Sequence, residues 1–229
     1  MKTHGRTGIV AAMQQELSAV LARLPDEQRQ RVAGRDFWVG HWRGHEVVAV
    51  LSRVGKVAAA TTAAALIERF GVDRIVFTGT AGGLAEGVRV GDLVVADAFM
   101  QHDMDASPLF PRFEVPLYGQ SRFAVDAGLS QALAQAARSA VAAPMVTLGA
   151  DAVAEFGLGA PRVHQGLIVS GDRFVATSAE SAALRAALPD ALAVEMEGAA
   201  VAQVCHDYGL PFAAVRTVSA RADDAAHVD

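Results

Sequence analysis

Cysteine occurs once in these 229 residues, as Cys205, which excludes an intramolecular disulfide and a thiolate zinc site. The lone thiol falls in an apolar helical pattern and reads as packing. Basic charge is also scarce: 20 Lys and Arg stand against 25 Asp and Glu, a formal net charge of −5. Without a basic run or interleaved aromatic and basic residues, no nucleic-acid groove is expected. Apolar runs are strand-length or broken by Gly and charge, and the N-terminus lacks an apolar signal core. Neither membrane spanning nor export is therefore expected, and the cytoplasm is the expected location. The Gly-rich stretch Thr78-Gly79-Thr80-Ala81-Gly82-Gly83 has neither the dinucleotide-fingerprint spacing nor the Gly-Lys-Ser/Thr ending of a phosphate loop, so no cofactor is expected. His102, Asp103 and Asp105 are closely spaced but lack a further ligand partner, which favours a plain polar loop over a metal site. No linker composition, internal repeat or low-complexity tract divides the chain, so residues 1–229 read as one domain.

What is present is apolar substance. Hydrophobic residues make up 52% and charged residues 20%, enough for a large core and an oligomer interface. Thr7 to Ala12 reads as a strand entering a helix from Met13 to Leu24, which Pro25 and Asp26 end. Phe37–Trp42 and Glu46–Leu51 flank a turn-like Arg43-Gly44-His45 and suggest a hairpin. Gly55-Lys56 starts an Ala-rich helix to about Phe70. Asp73–Thr78 is continuously apolar, as a strand covered on both faces should be, and a Gly-rich turn is expected to follow it. Further strands are read at Leu93–Ala98, Pro144–Leu148, Gly166–Ser170, Leu192–Val194 and Phe212–Val218. Helices are read at Phe123–Ala140, at Ser178–Leu188 with Ser178 as candidate N-cap, and from Glu197 to about Tyr208. Strands and helices alternate while hairpins interrupt, so the expected fold class is α/β, a mixed, twisted central sheet flanked by helices.

Three charged residues stand where such sheets bind ligands. Glu16 and Glu197 each open a helix just beyond a strand, and Arg216 lies in the last strand. Each carboxylate is equally explained by the positive end of its helix macrodipole. The Gly-rich turn lets backbone approach a ligand, or serves only to join strand to helix. Met13, Val54 and Met196 read, taken singly, as ordinary core residues.

Taken together, Ala12-Met13-Gln14-Gln15-Glu16, the Gly-rich stretch, Val194-Glu195-Met196-Glu197-Gly198 and Val215-Arg216-Thr217-Val218-Ser219-Ala220-Arg221-Ala222-Asp223 resemble the nucleosidase branch of the purine nucleoside phosphorylase-like family, across nearly the whole chain and in order. The resemblance implies a nucleoside phosphorylase-like fold, an adenine nucleoside as partner and hydrolysis of the N-glycosidic bond of 5′-methylthioadenosine or S-adenosylhomocysteine, releasing adenine. It implies that Glu16 activates the attacking water, with Arg216 and Thr80 helping to place it. Glu197 would bind the ribose hydroxyls and Met196 pack beneath the sugar. Phe174, in Ser170-Gly171-Asp172-Arg173-Phe174-Val175, would stack on adenine while the backbone after it, at Val175, reads the base edge. Met13, Val54, Ala81, Gly82 and Glu195 fall at further positions of the same pocket.

Such a site needs these residue types because cleavage leaves positive charge on the sugar and negative charge on the base. A carboxylate near the ring and a proton for the base both lower the barrier. Phosphorolytic members hold phosphate with arginines, one of them in the segment matching Phe77-Thr78-Gly79-Thr80, which carries no basic residue here; hydrolysis is therefore expected. At Ser219-Ala220 the family has Ser-Asp, and that aspartate protonates the base. Ala220 cannot, so impaired turnover is expected. The alanine is an introduced substitution, or a natural loss leaving a nucleoside-binding protein, or Asp223 or Asp224 replaces the acid. Hydrolysis of another purine nucleoside such as futalosine rests on the same residues. The loop His102–Tyr118 carries Leu109, Phe110, Phe113, Val115 and Leu117, too apolar for water alone, and is expected at a subunit interface near the pocket mouth, as in the family's homodimers. The family's C-terminal helix after the last strand is expected to be missing.

Overall fold

The computed structural model describes residues 5–143, 149, 153–154 and 160–222. The N-terminal half is built around β1 (Thr7–Ala11), which pairs in parallel with β4 (His45–Leu51) and β5 (Arg74–Gly83). Outside β4 lie β3 (Arg35–Trp42) and β2 (Gln28–Val32), both antiparallel. The hairpin at Arg43-Gly44 is as expected. Strand β2 was not foreseen because Gln28-Arg29-Gln30-Arg31-Val32 is a polar edge strand with no buried residue to set a period of two.

The other half closes on itself. Strand β5 pairs with β9 (Ala191–Glu195), β9 with β8 (Val163–Ser170), β8 with β6 (Leu93–Gln101), β6 with β10 (Phe212–Arg221), and β10 again with β5. Parallel and antiparallel pairs mix around this five-strand ring, and a short β7 (Arg122–Ala124) adds to β6. Closure removes two sheet edges and fills the interior with side chains.

Five helices among the described residues cover the sheet. Helix α1 (Gln14–Leu21) follows β1 and packs Leu17 and Val20. Helix α2 (Lys56–Phe70) presents Ala59, Ala63, Leu66 and Phe70 to the core and ends at Gly71 in the left-handed conformation. Helix α3 (Ala127–Val141) starts where the Asp126 carboxylate accepts from Leu129 N. The sequence pattern places its start at Phe123, but Phe123 belongs to β7. In α4 (Ser178–Ala187) the expected cap at Ser178 is corrected: Thr177 accepts from Glu180 N, one residue earlier. Helix α5 (Gly198–Tyr208) packs against α2 and ends at left-handed Gly209. Phe37, Phe77, Phe99 and Phe123 are almost fully buried, each contributing roughly 1.5–3 kcal/mol of burial.

The expected Gly-rich turn is also corrected. Thr78 to Gly83 continues β5, paired with β10 on one side and, at Gly82 and Gly83, with β9 on the other. Those ladders satisfy the backbone that a turn would have bent away, and the small side chains let β9 and β10 close in. The strand expected at 144–148 lies outside the described residues, as do Asp223 and Asp224.

Candidate active site

Hydrogen bonds join the segment after β1 to β5 through Glu16 and Thr80, the segment after β4 to those after β9 and β8 through Glu197 and Asp172, and the ends of β8 and β9 through Ser170 and Glu195. Strand β1 delivers Glu16 through the first turn of α1. Its Oε2 accepts from the Ala12 and Met13 amides at 2.9 and 3.0 Å, and its Oε1 accepts from the Thr80 amide and hydroxyl at 3.0 and 3.2 Å. Four donors orient the carboxylate between β1 and β5. A Cβ at Gly79 would stand 3.1 Å from both carboxylate oxygens, so a glycine is what lets β5 approach this closely. Thr80 itself is exposed, while Ala81 is buried and Gly82 half-buried.

Glu195, at the end of β9, has its carboxylate turned inward. Oε1 accepts from Ser170 Oγ and Gly198 N, and Oε2 from Gly198 N, Glu197 N and the Arg216 guanidinium at 2.9 Å. It thereby caps α5 and neutralises Arg216, whose side chain is only 2% exposed. The Arg216 guanidinium further donates to the Phe77 and Val215 carbonyls and lies 4.0 Å over the Phe77 ring. Its hydrogen bonds thus bind β10 to β9 and β5; none runs to Glu16.

Glu197 begins α5 and is buried, with Oε1 accepting from Gly55 N at 2.8 Å. Gly55 sits at φ 97°, a conformation that disfavours side chains, and this aims its N–H at the carboxylate. Burial pushes the Glu197 carboxyl up to about 7, and the nearby negative charge of Glu195 adds to the rise. Met196 between them is half-buried.

Three large apolar side chains on the connecting segments are left open to solvent: Met13 at 40%, Phe174 at 52% and Val54 at 58%. They come from α1's entry, the segment after β8 and the segment after β4, and Val175 beside Phe174 is buried. On β10 the register slips between Val218 and Ala220, which places Ser219 in a bulge and pairs Ala220 with Gly82. Ser219 is exposed and Ala220 half-buried. The Ala220 methyl has no proton to give.

Of the residues gathered from sequence, the structure joins Glu16 to Thr80, Glu195 to Arg216, and Ala220 to Gly82 across the β10–β5 ladder. The sequence assigns no site role to Ser170, Lys56 or Asp172 and reads Asp103 as part of a polar loop, yet their hydrogen bonds tie the surrounding segments together. One signal for Lys56 was there: a lysine in the first turn of a helix opposes the macrodipole and needs another reason to be present. A cavity of about 290 Å³ lies elsewhere, lined by Asp126, Cys205, His206 and Pro211 near the start of β10. It holds none of the site groups, and burial pushes the Cys205 thiol up to about 12, leaving it unreactive.

A sequence model of the phosphorylase superfamily matches residues 6–229. The 5′-methylthioadenosine/S-adenosylhomocysteine nucleosidase of Shewanella denitrificans is 34% identical over 226 residues, covering 98% of this chain and 90% of its own. This chain belongs to the nucleosidase family of the phosphorylase superfamily. Among solved structures of the family, the Neisseria meningitidis nucleosidase in complex with methylthio-immucillin-A superposes with a TM-score of 0.84 at 36% identity, over 96% of this chain and 87% of that one. The Colwellia psychrerythraea nucleosidase in complex with adenine gives 0.82 at 34% identity, over 96% and 84%. The nucleosidase fold was thus legible from the four quoted segments. Among the described residues no helix is long and apolar enough to cross a membrane.

Proposed function

We propose that this chain binds 5′-methylthioadenosine and S-adenosylhomocysteine and hydrolyses their N-glycosidic bond, releasing adenine. The observation that carries the reading is the Glu16 carboxylate, fixed by four donors beside an exposed Thr80 hydroxyl. Glu16 takes a proton from water as the water attacks C1′ of the ribose, a step for which a positioned base typically contributes about 10²–10⁴-fold. Glu197 receives the ribose hydroxyls, Met196 lies under the sugar, Phe174 stacks on the base and the backbone at Val175 reads its edge. Met13 and Val54 enclose the sugar side, with Ala81 and Gly82 forming the wall behind it. Glu195 and Arg216 act from beneath, by holding the strands and the start of α5. Because Arg216 is spent on Glu195 and two carbonyls, it is a poor phosphate ligand, which supports hydrolysis over phosphorolysis.

The departing adenine needs a proton. With Ala220 on that side, we expect turnover slowed by a factor of the same order as one general acid supplies, about 10²–10⁴. A second reading, a nucleoside-binding protein without turnover, is favoured by Ala220 alone. We further propose a homodimer, supported by Leu109 and Leu117 at 84% and 91% exposure. The cytoplasm is the compartment we propose, in keeping with a single buried cysteine.

The test is adenine release from 5′-methylthioadenosine in phosphate-free buffer by this chain and by its Ala220→Asp variant. Rapid release by the variant and slow release by the parent supports the nucleosidase reading. If neither releases adenine although both bind the nucleoside, the binding-protein reading takes its place.

A further inference from the structure

The first two amides of the α2 entry serve two different parts of the site. Gly55 N donates to Glu197 Oε1, and Lys56 N donates to Asp172 Oδ1, each at 2.8 Å. The Lys56 side chain then reaches across: Nζ lies 2.7 Å from Asp103 Oδ1, 2.9 Å from Gln101 Oε1 and 3.9 Å from Asp172 Oδ2. Asp103 closes the circuit by accepting from Asp172 N at 2.8 Å through its other oxygen, and Gln101 is held in turn by Gln203 of α5. One ammonium thus joins the start of α2 to the segments that leave β6 and β8. The segment after β8 carries Phe174, whose ring is half open to solvent and has no aromatic partner among the described residues. Two residues earlier the segment is held at Asp172 by these bonds, and beyond Phe174 the Ala176 amide donates to Glu180, which also pairs with Arg173.

The charge balance gives the clamp its logic. Lys56 sits where the helix macrodipole is unfavourable to a cation, and two carboxylates, Asp103 and Asp172, compensate it; His102 stands beside them, its own charging disfavoured by burial. Without the ammonium, the two carboxylates keep only the backbone donors Lys56 N and Asp172 N, and their mutual repulsion favours an outward shift of the Asp172 segment, whose side chain is already 50% exposed. Resting on the nucleosidase reading, we propose that Lys56 is a positioning residue for adenine recognition. Through Asp103 and Asp172 it fixes the 171–175 backbone against the ribose-binding Glu197, so that base and sugar are held in one frame.

The test is calorimetric binding of 5′-methylthioadenosine and 5′-methylthioinosine to the parent chain, Lys56→Met, Lys56→Arg and Asp103→Asn, with melting temperatures in parallel. Lys56→Met is expected to bind methylthioadenosine 10-fold or more weakly and to lose most of the preference for adenine over hypoxanthine. Lys56→Arg should restore much of that preference, and Asp103→Asn should fall between. Unchanged affinity and base preference in folded Lys56→Met overturns the inference, as does a loss that tracks melting temperature and spares the preference. If the parent binds neither nucleoside, the nucleosidase reading itself falls, and this inference with it. A parent that binds while Lys56→Met behaves identically refutes only the clamp.

Discussion

The Glu197 carboxyl is the group most altered by folding at this site. Its ordinary value is 4.5, and burial with the Glu195 charge nearby raises it to about 7. Between those two values the folded protein holds a proton that the unfolded chain has already released, so stability falls as pH rises through the window. Glu197→Gln keeps an oxygen for Gly55 N and removes the charge. Its melting temperature relative to the parent should therefore climb between pH 5 and pH 8, read by scanning fluorimetry; a flat difference would mean the folded carboxyl titrates normally. Binding of 5′-methylthioadenosine should weaken at least 10-fold, since an amide cannot accept two hydroxyls as a carboxylate does. Ala220 poses the complementary case, a missing charge. On the proposed reading, Ala220→Asp is expected to raise adenine release about 10²–10⁴-fold, and equal rates would mean that another group protonates the base. The proposed roles of Glu16, Glu197 and Phe174 rest on the quoted motifs standing in order along the chain. That Arg216 pairs with Glu195 was not legible, because an arginine's partner depends on strands that meet only in three dimensions.

Among the elements, β9, β10 and α5 depend on one buried pair. Glu195 and Arg216 have side chains 3% and 2% exposed, and the same carboxylate accepts from the first amides of α5. Such a pair is weak evidence of net stability, but removing one partner strands a buried charge at about 3–5 kcal/mol. Glu195→Ala should show that loss in urea unfolding, and a shift below about 1 kcal/mol would mean that water reaches Arg216. The segment 78–83 teaches a second lesson at this scale. Its glycines predicted a turn because local propensity reads Gly as a break, yet strands on both sides hold it extended. Thr177 replaced Ser178 as the cap of α4 for a local reason: adjacent hydroxyls are equivalent in sequence, and only the helix start selects between them.

For the whole molecule, the unsettled surface is apolar. Leu109 and Leu117 lie almost fully in water on the long loop after β6, while Val115 of the same loop is buried. If this face joins two copies, sedimentation of the parent should give a dimer, and Leu117→Glu should shift it toward monomer with weaker nucleoside binding. A parent that sediments as a monomer at micromolar concentration would remove the dimer proposal. Composition and order sufficed for much else. The run of strand-length apolar segments, Ala-rich helices and four motif segments determined an α/β nucleosidase fold, because hydrophobic period and side-chain chemistry are local properties that survive in a linear string. Tertiary structure alone decided that β5 and β10 close a five-strand ring, that Gly-rich residues run as strand within it, and that Lys56, Asp103 and Asp172 meet. Those outcomes depend on pairing between segments distant in sequence, whose free energy comes from shared hydrogen bonds and mutual burial that neither segment carries alone.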